Sequence, residues 1–146
     1  MSEPQPTRAF AWTQAAWGAV LRCVPLSAAA AHFFTGANLT LRDDPAEWAG
    51  VAAEIGVAVE VVLLVSQVHE DTVAVASADR PRPWPRPEAD AVVSNDPGAA
   101  IAVRIADCVP VLLLAPWGVG AVHAGWRGLA GGVVAAAADD LLLLPG

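Results

Sequence analysis

The chain is 146 residues long, 55% of them hydrophobic, and it carries a formal net charge of −7. This length suits one domain, which we take as residues 1–146, with a core that buries about two-thirds of the unfolded surface. The acidic balance argues against a nucleic-acid binder, because such proteins present a basic face to phosphate groups.

The mean hydropathy of +0.49 is high for a chain of this length. No apolar run reaches the ~18 uninterrupted residues of a membrane span, because Glu60, Arg104 and Pro110 interrupt the longest runs. We therefore expect buried strands, and an apolar surface that an oligomer partner or a completing segment covers. The N-terminus lacks the layout of a signal peptide, which predicts a cytoplasmic protein with Cys23 and Cys108 reduced.

The first third of the chain predicts short strands followed by one helix. Residues 10–24 favour one or two opening strands, and residues 38–41 alternate as an extended segment does. Asp44 and Pro45 have the residue types of a helix N-cap and a first helical position. Apolar residues then recur at helical spacing as far as Gly56, which predicts a helix that ends at this glycine.

The rest of the chain predicts strands, one loop and a final helix. Residues 57–68 form an almost continuous β-branched apolar run, which predicts a strand buried on at least one face. Prolines at alternate positions within residues 79–89 exclude helix and central strand and predict a semi-rigid surface loop. A substrate-side flap carrying Trp84 is the alternative interpretation of this loop. Further strands are expected at 90–94, 99–106, 111–115 and 119–122, and a helix at 129–144.

Three of the predicted strands end at a residue type that binds metals: His69, Cys108 and His123. Zinc accepts a mixed set of imidazole and thiolate ligands, and a catalytic site uses three protein ligands with the fourth position open. Separations of 39 and 15 residues (108 − 69 and 123 − 108) differ from those of zinc fingers and suit ligands that tertiary folding brings together. Asp107 would then orient a ligand or act as a general base.

Other interpretations of the same residues stay open. A histidine at a strand end is more often structural than a ligand, and a buried cysteine is more often a small hydrophobic residue. Cys108 could instead be the nucleophile of a metal-free Cys–His hydrolase or amidase, with His123 or His69 as its base. A third hypothesis is a zinc-binding scaffold or an inactive remnant without turnover. The coincidence of three such residues at comparable strand ends favours the metal site.

Three blocks of the sequence resemble the signature blocks of the laccase-domain family, also called the multicopper polyphenol oxidase or YfiH family. They are Ser66-Gln67-Val68-His69, Ala106-Asp107-Cys108-Val109-Pro110 and His123-Ala124-Gly125-Trp126-Arg127-Gly128. The resemblance covers about residues 32–138. It implies an α+β fold, a YfiH-like α/β/β/α sandwich with mixed sheets, and one zinc ion bound by His69, Cys108 and His123.

Members of that family are described as purine nucleoside phosphorylases that also cleave methylthioadenosine and deaminate adenosine. The resemblance thus implies small purine nucleosides as substrates and inorganic phosphate as co-substrate. For this chemistry we expect Asp107 and Arg127 to be the catalytic residues. Arg127, Gly128 and the start of the following helix would bind phosphate. The older name polyphenol oxidase is disfavoured, because three histidines are too few for a multicopper cluster.

The sequence departs from the family pattern in three places. The family has an arginine and a glycine pair after Phe-Phe-Thr, whereas this chain continues Gly36-Ala37-Asn38. The glycine usual after the first histidine is replaced by Glu70, an acidic residue that could crowd a metal or repel phosphate. The family also continues for roughly another hundred residues, by resemblance, so we expect a chain that is incomplete at its C-terminal end.

Overall fold

A β-hairpin begins the N-terminal unit, Met1–Val59, of the computed structural model, which describes residues 4–146. Strands β1 (Phe10–Ala15) and β2 (Gly18–Cys23) pair antiparallel, and the short β3 (Phe34–Thr35) pairs with β2 on its other side. The prediction of two opening strands is confirmed. A one-turn helix, α1 (Val24–Ser27), follows β2.

Helix α2 (Pro45–Ile55) begins and ends where its capping residues predict. The Asp44 carboxylate accepts hydrogen bonds from the N–H groups of Ala46 and Glu47 at 2.9 and 3.4 Å, which satisfies two otherwise unpaired donors. Gly56 takes a left-handed conformation (φ +89°) and ends the helix. The buried face of α2 carries Trp48, Val51 and Ala52.

The segment 38–41, predicted as extended, is not part of any strand: Asn38 ends a turn and residues 39–41 have no regular secondary structure. The Glu47 carboxylate accepts hydrogen bonds from the N–H groups of Thr40 and Leu41, the shorter one at 2.6 Å. A side chain of α2 therefore satisfies backbone donors that a neighbouring strand would otherwise bind. Leu41 is also in a positive-φ conformation (φ 47°), which a strand does not allow.

The C-terminal unit, Glu60–Gly146, contains a four-stranded mixed sheet that we call the central sheet. Its strands lie in the order β5 (Val73–Val75), β6 (Ala91–Ser94), β9 (Gly118–Ala124) and β8 (Val109–Ala115). The pair β5–β6 is parallel, and β6–β9 and β8–β9 are antiparallel. A second, two-stranded parallel sheet pairs β4 (Val62–Leu64) with β7 (Ala100–Ala102).

Each face of the central sheet supports its own hydrophobic core. On one face, Val93 and Val122 pack with Val133, Ala137 and Leu141 of the last helix. On the other, side chains from the intervening positions of the same strands pack with those of the two-stranded sheet; they include Leu63, Val65, Ala74, Val92 and Ala121. This alternation follows from the two-residue period of a strand. The C-terminal unit thus has a helix layer and two sheet layers, and the predicted α+β class with mixed sheets is confirmed.

Two predicted strands are shorter than their apolar runs. The run 57–68 contains a 3₁₀ turn at Val59–Val61 and only three residues of β4, and the run 99–106 yields only β7. A physical reason is visible at Gln67, whose side-chain amide accepts from the N–H of Arg104 at 2.7 Å and donates to its carbonyl at 2.6 Å. A side chain therefore replaces the backbone partner that would extend the ladder.

The single helix predicted at 129–144 is in fact two helices, and the first of them begins three residues earlier, at Trp126. Gly125 is the N-cap of α3 (Trp126–Gly131), and Gly132 (φ +89°) separates it from α4 (Val133–Leu142). The left-handed conformation, accessible to glycine at little cost, ends one helix and reorients the chain for the next. In the described residues, no helix combines the length and the apolar composition needed to cross a membrane.

The proline-rich segment 79–89 contains neither a helix nor a named strand. Trp84 within it is half-buried, packs against the core that contains Leu63 and Val65, and donates its Nε1–H to the carbonyl of Leu64 at 2.6 Å. This anchoring fits the interpretation of a connector better than that of a mobile flap. The assignment of residues 1–146 to a single domain stays a prediction.

Candidate metal centre

One buried carboxylate supports the turn that carries His69. Val68, His69 and Glu70 donate their backbone N–H groups to Asp90 at 3.1, 2.9 and 2.9 Å. His69 has a φ of +64°, a conformation unfavourable for a residue with a Cβ. Its side chain is exposed. The imidazole therefore lies at the surface, on a turn whose three consecutive N–H groups bind a single side chain.

His123 approaches the same place from β9. It is 3% exposed, and its N–H donates to the carbonyl of Asp90 at 2.7 Å. Its Nδ1 lies 2.7 Å from Asp90 Oδ1, and its ring meets that of His69 edge-on with 4.7 Å between centroids. Because the carboxylate can only accept when it is ionised, Nδ1 carries the proton and the lone pair of Nε2 is left for a ligand.

Cys108 completes a group of three metal-binding side chains. It immediately precedes β8, whose first residue, Val109, pairs with Ala124 of β9. One potential ligand atom from each of His69, Cys108 and His123 lies within 4.8 Å of the others. Within residues 4–146 this is the one group of three or more His, Cys, Asp or Glu side chains so arranged. The three side chains that the sequence singled out therefore do meet, although only His123 lies in a strand, whereas His69 is in a turn after β4 and Cys108 precedes β8.

These three side chains fit a zinc ion in number, chemistry and space. Donor atoms around a tetrahedral zinc are roughly 3.4–3.7 Å apart, so rotation of the exposed His69 side chain can close a spread of up to 4.8 Å. Gly125 lies against all three: a Cβ there would be 3.4 Å from Cys108 Sγ and from His69 Cδ2. Three protein ligands leave a fourth position for water or substrate, as catalytic zinc sites do.

Asp90 is the site residue that the sequence did not reveal. Its side chain is fully buried, and burial raises the pKa of a carboxyl group. Hydrogen bonds from Glu70, His123, Val68 and His69 outweigh this effect, and the pKa of Asp90 is lowered below its usual value. The signal in the sequence was a carboxylate directly before an apolar strand, which taken alone indicates only a strand start.

The other predicted site residues lie around this group without joining it. Asp107 is exposed, and within the described chain no hydrogen bond connects it to a ligand. Arg127 is exposed in the first turn of α3, with its Cζ 5.3 Å from the ring centroid of Trp126. Gly128 is buried, and a Cβ there would be 2.7 Å from the carbonyl oxygen of Glu70. Their catalytic and phosphate-binding roles stay predictions.

His32 and Cys23 lie outside this group of ligands and make structural contacts with each other. His32 is 8% exposed, its Nε2 accepts the N–H of Cys23 at 2.9 Å, and its Nδ1 lies 3.0 Å from the carbonyl of Ala30. Both ring nitrogens are therefore occupied. Cys23 and Cys108 are both free thiols.

The chain is similar to proteins named purine nucleoside phosphorylase. One from Streptomyces griseus is 41% identical over 112 residues, which are 70% of this chain and 44% of the relative. One from Aquifex aeolicus is 47% identical over 76 residues, 52% of this chain and 35% of the relative. The chain thus spans between a third and a half of the length of these curated relatives.

Solved structures show the same similarity at the level of the fold. The YlmD protein of Geobacillus stearothermophilus has a TM-score of 0.65 and 28% identity, over 84% of this chain and 55% of that one. The YfiH protein of Bacillus licheniformis has a TM-score of 0.59 and 27% identity, over 67% of this chain and 40% of that one. The sequence model of one family matches residues 30–143. This chain therefore belongs to the multi-copper polyphenol oxidoreductase laccase family, the family that its three sequence blocks resemble.

Proposed function

We propose that this chain carries the zinc site of a purine nucleoside phosphorylase, with one zinc ion held by His69, Cys108 and His123. The observation that carries the proposal is the convergence of these three side chains, whose ligand atoms lie within 4.8 Å of one another. The names of the relatives support the reaction class. When bound, zinc would supply a Lewis acid next to the substrate.

Phosphorolysis places two demands on the protein. A phosphate oxygen forms a bond to C1′ of the nucleoside while the bond from C1′ to the base breaks, and the base leaves with that electron pair and takes a proton. Arg127, exposed two residues after Gly125, would hold the phosphate by charge-assisted hydrogen bonds. Asp107, exposed next to Cys108, would hold or transfer the proton.

Related activities belong to the same proposal. Cleavage of methylthioadenosine is the same reaction on another purine nucleoside, and deamination of adenosine exchanges the C6 amino group for the oxygen of water. A polyphenol oxidase is disfavoured, because the described residues hold one His–Cys–His group and no set of imidazoles for several copper ions. With both cysteines free, we place the protein in the cytoplasm.

The direct test is release of hypoxanthine from inosine by the zinc-loaded chain, followed with and without inorganic phosphate. We expect release that depends on phosphate, with an Arg127→Ala variant raising the KM for phosphate and an Asp107→Asn variant lowering kcat. Release at the same rate without phosphate would indicate hydrolysis instead of phosphorolysis. No release from inosine, adenosine or methylthioadenosine would contradict the proposal and leave a zinc-binding domain without turnover.

A specific observation also favours a second candidate, a metal-free Cys–His hydrolase. Asp90 holds Nδ1 of His123 at 2.7 Å, and Cys108 lies within reach of the histidine pair, which is the order of groups in a Cys–His–Asp triad. Zinc analysis separates the candidates. A Cys108 that is alkylated at the same rate with and without added zinc would support the hydrolase, whereas protection by zinc supports the metal centre.

A further inference from the structure

Asp90 makes more contacts to the metal centre than any of the predicted site residues outside the ligand set. Its Oδ1 accepts from His69 N and from His123 Nδ1, at 2.9 and 2.7 Å, and its Oδ2 accepts from Val68 N and Glu70 N, at 3.1 and 2.9 Å. Four donors thus converge on one fully buried carboxylate. All four belong to a ligand or to a residue next to one.

The backbone of Asp90 is fixed as firmly as its side chain. Its N–H donates to the carbonyl of Thr72 at 2.9 Å, and its own carbonyl accepts from His123 N at 2.7 Å. The residue precedes β6, which lies between β5 and β9 in the central sheet. A carboxylate held this way is a rigid reference point, against which the exposed turn at His69 can be placed.

The contacts have a different effect on each histidine. For His69, they favour a turn with three consecutive N–H groups directed at one acceptor, and so stabilise a φ of +64° that is otherwise unfavourable. For His123, they fix the tautomer that carries its proton on Nδ1 and leave Nε2 free to bind a metal. Without the carboxylate, one ligand would lose its backbone conformation and the other its defined tautomer.

We propose that Asp90 is a positioning residue that arranges two of the three ligands before the metal binds. This inference rests on the zinc site of the proposed function, but not on any reaction at that site. The sequence assigned the orienting role to Asp107, which is exposed and has no hydrogen bond to a ligand in the described residues. Asp90 occupies the position that this role requires.

An Asp90→Asn variant tests the proposal, because an amide nitrogen cannot accept the hydrogen bonds that one carboxylate oxygen receives. We expect the zinc affinity, measured by competition with a chelator, to fall about 10–100-fold. Two controls separate positioning from other effects. Asp107→Asn removes the same charge beside Cys108 without removing a hydrogen bond to a ligand. Ser94→Ala removes a buried polar group at the far end of β6, where Ser94 Oγ donates to Ala76 at 2.6 Å.

We expect each control to change the zinc affinity by less than about threefold, since neither removes a hydrogen bond to a ligand. An unchanged affinity in Asp90→Asn would overturn the proposal. An equal loss in Asp107→Asn would also overturn it, because charge alone would then explain the effect. An equal loss of zinc affinity in Ser94→Ala would show that a general loosening of β6 causes the effect, and this result would also overturn the proposal.

Amide hydrogen exchange of the unmodified, metal-free chain decides the matter if Asp90→Asn does not fold. If the carboxylate prepares the site, the amides of Val68, His69 and Glu70 exchange slowly without metal, although the His69 side chain is exposed. Exchange as fast as in an unstructured loop would overturn the proposal. Neither measurement uses turnover, so an inactive chain with slow exchange would contradict the proposed reaction and leave the role of Asp90 supported.

Discussion

The sulfur atom of Cys108 distinguishes this centre from a simple histidine pair. The rings of His69 and His123 already meet edge-to-face, with 4.7 Å between centroids, and the thiol adds a donor of a different kind from the residue before β8. Zinc accepts this mixture, whereas hard cations such as magnesium and calcium prefer oxygen ligands. At the scale of single residues, the choice of metal therefore depends most on Cys108.

Replacing this thiol tests its role. In Cys108→Ser, we expect the zinc affinity to fall by about 100-fold or more, exceeding the effect of losing a supporting residue. The measurement is competition with a zinc chelator. Cys23→Ser is the matched control, because Cys23 is the other free cysteine and lies outside the group of ligands. Equal losses in the two variants would contradict the assignment of Cys108 as a ligand.

At the residue scale, the sequence identified the three candidate ligands that the fold brings together, but not the residue that supports them. His69, Cys108 and His123 belong to few residue types and follow apolar runs, so their chemistry is visible without a structure. Asp90 could not be recognised in this way, because its role depends on hydrogen bonds to residues 20 to 33 positions away in the chain. Aspartate before a strand is common, and the residues next to Asp90 do not show which donors its carboxylate binds.

At the scale of secondary-structure elements, α3 packs closely against the turn that carries His69. A Cβ on Gly128 would lie 2.7 Å from the Glu70 carbonyl oxygen, a backbone atom that cannot move by rotation. Gly128→Ala should therefore destabilise the chain by about 1–3 kcal/mol and also weaken zinc binding. Urea unfolding and chelator competition measure the two effects.

Gly131 in the same helix provides a control for Gly128. A Cβ on Gly131 would lie 2.9 Å from Asp71 Oδ2, which can rotate away, and 3.2 Å from Asp71 Cβ, a contact that a shift of a few tenths of an ångström relieves. Gly131→Ala should therefore change the free energy of unfolding by less than about 1 kcal/mol, because helix propensity offsets this small cost. If Gly128→Ala were as harmless as Gly131→Ala, the close packing of α3 on the His69 turn would be wrong.

The proline-rich loop depends on Trp84 for its attachment. Because this side chain is half-buried and also donates to the Leu64 carbonyl, Trp84→Ala should cost about 2–3 kcal/mol in the free energy of unfolding. Trp117→Ala is the control, since Trp117 is 65% exposed and its loss should change stability by less than about 0.5 kcal/mol. A Trp84→Ala variant of unchanged stability would instead favour the mobile flap.

The sequence predicted the bounds of an element correctly where local contacts determine them. Helix α2 begins after Asp44 and ends at Gly56 as predicted, because a capping residue acts on its own helix. The lengths of the strands in 57–68 and 99–106 were overestimated. The Gln67 side chain binds the backbone of Arg104, 37 residues later in the chain, and so takes the place of a strand–strand hydrogen bond. The break at Gly132 was missed, because a glycine in a helical pattern shows its positive φ only in the folded chain.

For the molecule as a whole, the notable property is its exposed apolar surface. Leu142 and Leu143 at the end of α4 are 71% and 80% exposed, and Trp126 is 76% exposed. Large exposed apolar side chains in one molecule favour association. We expect sedimentation velocity to show a weight-average mass that rises with concentration, and a Leu142→Gln/Leu143→Gln double variant to reduce the rise. A wild-type mass that stays monomeric at every concentration would contradict this expectation.

At the scale of the whole molecule, the sequence did not predict which strands pair with one another. The resemblance to the family implied the α+β class, but the parallel pairing of β4 with β7 and the neighbours of β9 depend on contacts between distant segments. Apolar runs predict that a strand is buried without specifying its partner. The candidate metal centre could be anticipated from the residue types of His69, Cys108 and His123, although only His123 lies in a strand.

The measurement that tests the account most directly is the zinc content of the purified chain after loading with excess zinc and desalting. If His69, Cys108 and His123 form one centre, elemental analysis should give about one zinc ion per chain in the wild type. The Cys108→Ser variant should retain much less. A wild-type content well below one per chain would contradict the metal centre and leave the Cys–His hydrolase as the better account of these residues.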